Sequence, residues 1–217
     1  MRAAINGGFK ESEEHIVRFP EDVPEDFQDF LTFARTGRVP QDLTDDDYDH
    51  VTPECWRLAH LWAYAESIQA CAFKDAIVDA MIERVQALGS VPTGTFKIVY
   101  ANSAGPSGMR RLHVDIAMYG WRTEHLLAVQ REEAYDDFFY DLAIAMHRRR
   151  DICIDDTRSP YMRDPGCRYH DHWTEEPCYQ EIFAESRQKA AEARARDRDD
   201  LVKAMSGLGL TGDDTSG

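Results

Sequence analysis

Residues 52–88 read TPECWRLAHLWAYAESIQACAFKDAIVDAMIERVQAL. The stretch opens on a helix start. The Thr52 hydroxyl can accept from an otherwise unpaired amide, and Pro53, at the first helical position, has no amide to leave unpaired. Leu58, Leu61, Trp62, Ala65 and Ile68 then recur at helical spacing. After a break of a few residues Phe73, Ala76, Ile77, Ala80, Met81 and Val85 do so again. A connection this short makes the two helices an antiparallel pair. Cys55 and Cys71 lie among these apolar residues and are expected to be small core residues.

Toward the N-terminus, Pro24 and Gly37 bracket a helix whose apolar residues Phe27, Phe30, Leu31 and Ala34 form its stripe. Before it, His15-Ile16-Val17-Arg18-Phe19 alternates as a short strand does. Toward the C-terminus, Gly89 and Pro92 punctuate the chain. Helices are expected over Phe96–Ala101 and Met109–Trp121, the latter with Leu112, Ile116 and Tyr119 inward. A further helix is expected over Glu132–Arg150, with Tyr135, Phe138, Phe139, Leu142 and Met146 in register. Arg148-Arg149-Arg150 suits the negative end of that helix's dipole. Residues 153–178 have no apolar periodicity, Tyr179–Met205 reads as a charge-laced exposed helix, and Gly207–Gly217 as a disordered tail.

The chain has 217 residues, and 25 Lys and Arg against 40 Asp and Glu leave a formal charge of −15. Bulk charge of that sign would repel a polyanion, which excludes a nucleic-acid-neutralising role. The acidity is local: Glu11 to Glu54 holds fourteen acids and three bases, Arg18, Arg35 and Arg38, a difference of −11. No apolar run reaches the roughly 18 to 20 residues that a membrane helix needs. The five cysteines, Cys55, Cys71, Cys153, Cys167 and Cys178, are an odd number and are expected to be reduced, in a cytoplasmic or nuclear protein.

Signatures of catalysis are missing. Asp45, Asp47 and Asp49 begin like a calcium loop, but His50 stands where the required glycine would be and Trp56 where the glutamate would be. Gly105-Pro106-Ser107-Gly108 is followed by no Lys-Ser or Lys-Thr, so it is a turn and not a phosphate loop. There is no Gly-x-Ser-x-Gly elbow. The densest chemistry is Cys167-Arg168-Tyr169-His170-Asp171-His172, with Cys178 following. Cys167, His170, His172 and Cys178 are four soft or borderline ligands within twelve residues, and zinc held by them would fix a segment that lacks its own core. Two points favour a plain polar loop instead: the spacing matches no zinc-finger pattern, and in a locally extended chain His170 and His172 would point to opposite sides.

Asn6-Gly7-Gly8-Phe9-Lys10-Glu11-Ser12, Ile16-Val17-Arg18-Phe19-Pro20-Glu21-Asp22, the Pro24–Gly37 helix and the helical pair resemble the second half of a BTB/POZ domain. Tyr100-Ala101-Asn102, Met109-Arg110-Arg111-Leu112-His113-Val114-Asp115 and the Cys167–His172 stretch are similar to the helical extension of BTB proteins from filamentous fungi. The chain departs from the family at Arg35, where an aromatic residue is usual, and at Val23, where a polar cap is usual. The resemblance implies a mainly α fold with one short strand: a partial domain over 5–90, a helical extension over 91–150, a Cys/His-containing loop region over 151–180, a charged helix over 181–206 and a tail over 207–217. It lacks the strand hairpin and helical hairpin that come first in the family, which implies an uncovered helical face that favours association. The function so implied is a protein-interaction module, an adaptor in ubiquitin-ligase or transcription-related assemblies, and not an enzyme. Its partner is a protein, either a second copy of the chain or a cullin ubiquitin ligase, with no nucleic acid and no membrane. The alternative is a small zinc protein with a structural Cys2His2 site or, less in keeping with the ligands, a hydrolytic one.

Overall fold

A computed structural model describes residues 23–40, 51–88, 92–103, 105–129, 136–151, 159–172 and 176–185, together with 188, 189, 192 and 196. The strand expected at His15–Phe19, the connector acids Asp45 to Asp49, Cys153 and the tail lie outside these residues, as does most of the charged helix. Among the described residues the protein is mainly helical, with no strand. The elements are α1 (Pro24–Thr36), α2 (Val51–Ser67), α3 (Cys71–Leu88), α4 (Thr95–Ala101), α5 (Gly108–Gly120), α6 (Thr123–Ala128) and α7 (Asp136–Asp151). Two 3-10 turns follow, Pro160–Met162 and Gly166–Tyr169. The chain divides into two compact units, 1–176 and 177–217. In the second, residues 179–185 are helical.

The helical pair forms as its sequence dictates. Leu58, Leu61, Trp62 and Ala65 of α2 and Phe73, Ala76, Ile77, Ala80, Met81 and Val85 of α3 are all buried, and Ile68 is half-buried in the connection. α1, α2, α5 and the first 3-10 turn all pack on α3, and α5 in turn packs on α3, α4, α7 and both 3-10 turns. Gln86 Nε2 donates to the Tyr161 carbonyl at 2.5 Å, tying that turn down. Cys55 is fully buried as expected, whereas Cys71 is exposed. Cys71 is the first residue of α3.

α1 ends as the sequence requires. Gly37 takes φ 65°, a left-handed conformation that suits glycine, and its amide reaches the Phe33 carbonyl at 2.7 Å. Val23 gives the other end no side-chain cap. The buried face differs from the expected stripe. Asp29 and Phe33 are inside and Phe30 is half-buried, while Phe27 (37%) and Leu31 (39%) are exposed, as is Ala34. The cause lies outside α1. Arg57 of α2 pairs with Asp29, and Phe73 of α3 receives Phe33 with ring centroids 5.0 Å apart and Phe30 at 5.5 Å. A partnered acid can face inward, and here it turns the helix.

α4 and α5 match their expected positions. Ser107 caps α5 by accepting from the Arg110 amide at 3.2 Å. α7 buries Phe138 and Leu142 but leaves Phe139 and Met146 exposed, because only its α4 and α5 side is covered. Phe138 stacks on Phe96 with centroids 4.2 Å apart and meets Tyr100 and Trp121 at 5.5 and 5.6 Å. The short helix α6 has no counterpart among the helices expected from sequence.

Candidate metal centre

Among its described residues, the segment carrying the ligand residues is positioned mainly by polar contacts. Tyr169 is a large buried anchor. The ring is buried and its hydroxyl donates to Asp115 of α5 at 2.7 Å, where Arg168 also pairs at 3.3 Å. Burial, and then the Asp115 charge, push the Tyr169 phenol above its ordinary range, so it stays a donor. Asp171 holds the next contacts. Its carboxylate accepts from the Gly108 amide at the start of α5 at 2.6 Å, and its own amide donates to Asp75 of α3 at 2.7 Å. Lys74 lies 3.6 Å from Asp171 and 2.5 Å from Glu66. Arg111 donates to the His170 carbonyl at 2.9 Å.

Gly108 is required by the close approach of the two backbones. A Cβ there would lie 1.7 Å from the Tyr169 carbonyl oxygen and 2.6 Å from its carbon, far inside contact distance. A substituent at this position would push the ligand segment off α5.

Within this frame Cys167, His170 and His172 of the first unit each offer one ligand atom, and these atoms lie within 4.8 Å of one another; Cys178 is the second residue of the next unit. A tetrahedral zinc with bonds of about 2.0 to 2.3 Å spaces its ligand atoms by roughly 3.3 to 3.8 Å, so the set needs only a small contraction to close. The expected divergence of the two histidines does not occur. The chain bends at His172, and the rings come together with centroids 5.6 Å apart.

Two carboxylates of α3 stand behind the histidines. His170 Nε2 is 2.9 Å from Asp79 Oδ1, which leaves Nδ1 as the nitrogen it would present to an ion. This is the outer-shell arrangement that orients metal-binding histidines and raises their basicity. Burial lowers the His170 pKa, but the Asp79 hydrogen bond and charge, followed by the charges of Asp75 and Asp171, more than reverse it, and the net shift is upward. Asp75 is almost fully buried and its own pKa is raised, chiefly by that burial. Its Oδ1 is used by the Asp171 amide, while Oδ2 has no hydrogen-bond partner among the described residues. A half-satisfied buried carboxylate in the field of His170 and His172 fits a site completed by a cation.

Cys55 and His113 stand apart from this group. Burial, with the Glu54 charge, pushes the Cys55 thiol up to about 11, the opposite of an activated nucleophile. His113 is fully enclosed between the Met109 carbonyl and the Thr95 hydroxyl, each at 2.9 Å. Asp75, Asp79, Asp115 and Gly108 were not singled out by sequence reasoning. A signal existed for the first two: acids four residues apart among the apolar residues of α3.

No family model matches the chain, and neither a curated protein nor a solved structure matches it.

Proposed function

We propose that the chain is a non-enzymatic protein-interaction module whose Cys167–Cys178 segment is closed by a structural zinc ion. One observation carries the zinc reading: the Cys167 thiol and the His170 and His172 imidazoles place their ligand atoms within 4.8 Å, with one imidazole backed by Asp79. With Cys178, six residues after His172 in the sequence, as the fourth ligand, two thiolates and two imidazoles would fill all four tetrahedral positions, which leaves none for water or substrate and favours a structural over a hydrolytic role. The ion would supply the cohesion that this polar segment cannot obtain from apolar burial.

The interaction reading is supported by Val23, Phe27 and Leu31, which are 51%, 37% and 39% exposed at and near the start of α1. A contiguous apolar group of this kind suits association. The residues that resemble a BTB/POZ domain point the same way, toward a partner that is a second copy of the chain or a cullin. Cobalt tests the zinc part. Adding Co(II) to metal-stripped protein should give the intense visible bands of a tetrahedral thiolate complex, lost in Cys167→Ala and His170→Ala. Weak octahedral absorption only, unchanged in both variants, would refute it.

A further inference from the structure

Apart from the metal ligands, α5, α7 and the Gly166–Tyr169 turn enclose a cavity of about 520 Å³. Arg110, Arg111, Arg148 and Arg168 line it against only two acids, Asp115 and Asp141, a local excess of two positive charges in a chain of −15. Both acids are already engaged. Asp115 serves Tyr169 and Arg168, and Asp141 accepts from the Tyr100 hydroxyl at 2.8 Å. Arg111 pairs at 3.4 Å with Asp171.

The other two arginines differ. Arg110 is buried, yet the groups that hold it are neutral: the Ser103 hydroxyl at 2.6 Å, the Ser103 and Tyr100 carbonyls, and the Tyr100 ring at 4.2 Å. Arg148 is exposed on α7 and has no acidic partner among the described residues. A buried cation is normally paired, because desolvation is costly without a counter-charge. Here the uncompensated charge of Arg110 and that of Arg148 line one cavity. Val114, Ile144 and the ring of Tyr140 supply an apolar wall beside them. The volume is that of a small-molecule site.

We infer that this cavity binds a small organic oxyanion, a phosphate or carboxylate carried on an apolar or aromatic body. The oxyanion would sit between Arg110 and Arg148, whose planar forks match either group, and the body would lie against Val114, Ile144 and Tyr140. The chain's overall negative field opposes anion binding anywhere else, so the site must act through these local charges. Calorimetric titration of the full chain at low salt with phenyl phosphate, benzoate and phenol tests this. Saturable binding of at least one anion is expected, with none of phenol, and the anion that saturates assigns the oxyanion. Arg148→Ala should weaken that binding by about tenfold or more, the loss of one charge-assisted contact. Arg38→Ala, an exposed arginine outside the cavity, should leave it unchanged. Failure of both anions to saturate, phenol binding as well as they do, equal affinity in Arg148→Ala, or an equal loss in Arg38→Ala would each overturn the inference.

Discussion

His170 Nε2 and Asp79 Oδ1 lie 2.9 Å apart although 91 residues separate them in the chain. The contact joins helix α3 to the segment that carries the proposed zinc ligands. It orients an imidazole that follows directly on the Gly166–Tyr169 turn, so the helical bundle helps to set the ligand geometry.

Asp79→Asn should therefore weaken zinc affinity by about 10- to 100-fold while leaving the helical content intact, as loss of an outer-shell carboxylate does elsewhere. Competition against a chromophoric chelator reads this. Unchanged affinity would mean that the Asp79 contact only packs the segment.

Gly108→Ala should detach the ligand segment from α5, because the added methyl group would overlap the Tyr169 carbonyl. A loss of about 1 to 3 kcal/mol is expected for an overpacked contact that backbone movement must relieve. Urea unfolding measures it, and a loss under about 0.5 kcal/mol would show that the two backbones part easily.

Stability should fall as pH drops from about 6.5 to about 4. His113 is held neutral, its pKa lowered to about 4 by complete burial, with the Met109 carbonyl opposing the shift only in part. The unfolded chain takes up a proton at this residue near pH 6.5 and the folded chain does not, so protonation favours unfolding across that window. Nothing is lost above about pH 6.5, and the loss reaches on the order of 3 kcal/mol by about pH 4. Thermal melts of the wild type and His113→Gln across this range should diverge in slope. Parallel curves would remove His113 as the cause.

Phe27→Ser with Leu31→Ser should reduce self-association without unfolding the chain, since both residues are exposed on α1 and the Phe33–Phe73 contact remains. Light scattering is the measurement. A wild type that is already monomeric at high concentration would count against the self-association form of the interaction reading.

The helices were legible because their punctuation is local. Pro24, Gly37 and Ser107 mark ends, and α2 and α3 carry unbroken apolar spacing. The four proposed ligands were legible for the same reason, since they fall within twelve residues. What supports them was not, because Asp75 and Asp79 come from a helix more than ninety residues earlier. The inward face of α1 was misread because apolarity alone selects Phe27 and Leu31. Arg57, on another helix, brings Asp29 inside and turns Phe33 to the core. Phe139 and Met146 keep helical spacing on α7 yet remain exposed, since periodicity does not reveal how much of a helix its neighbours cover.

Elemental analysis of the purified full-length chain, never exposed to chelator, bears most directly on the zinc-closed segment. About one equivalent of zinc per chain is expected, falling to background in Cys167→Ala with His170→Ala. Less than about a tenth of an equivalent in the wild type, with no uptake when zinc is supplied, would contradict the account.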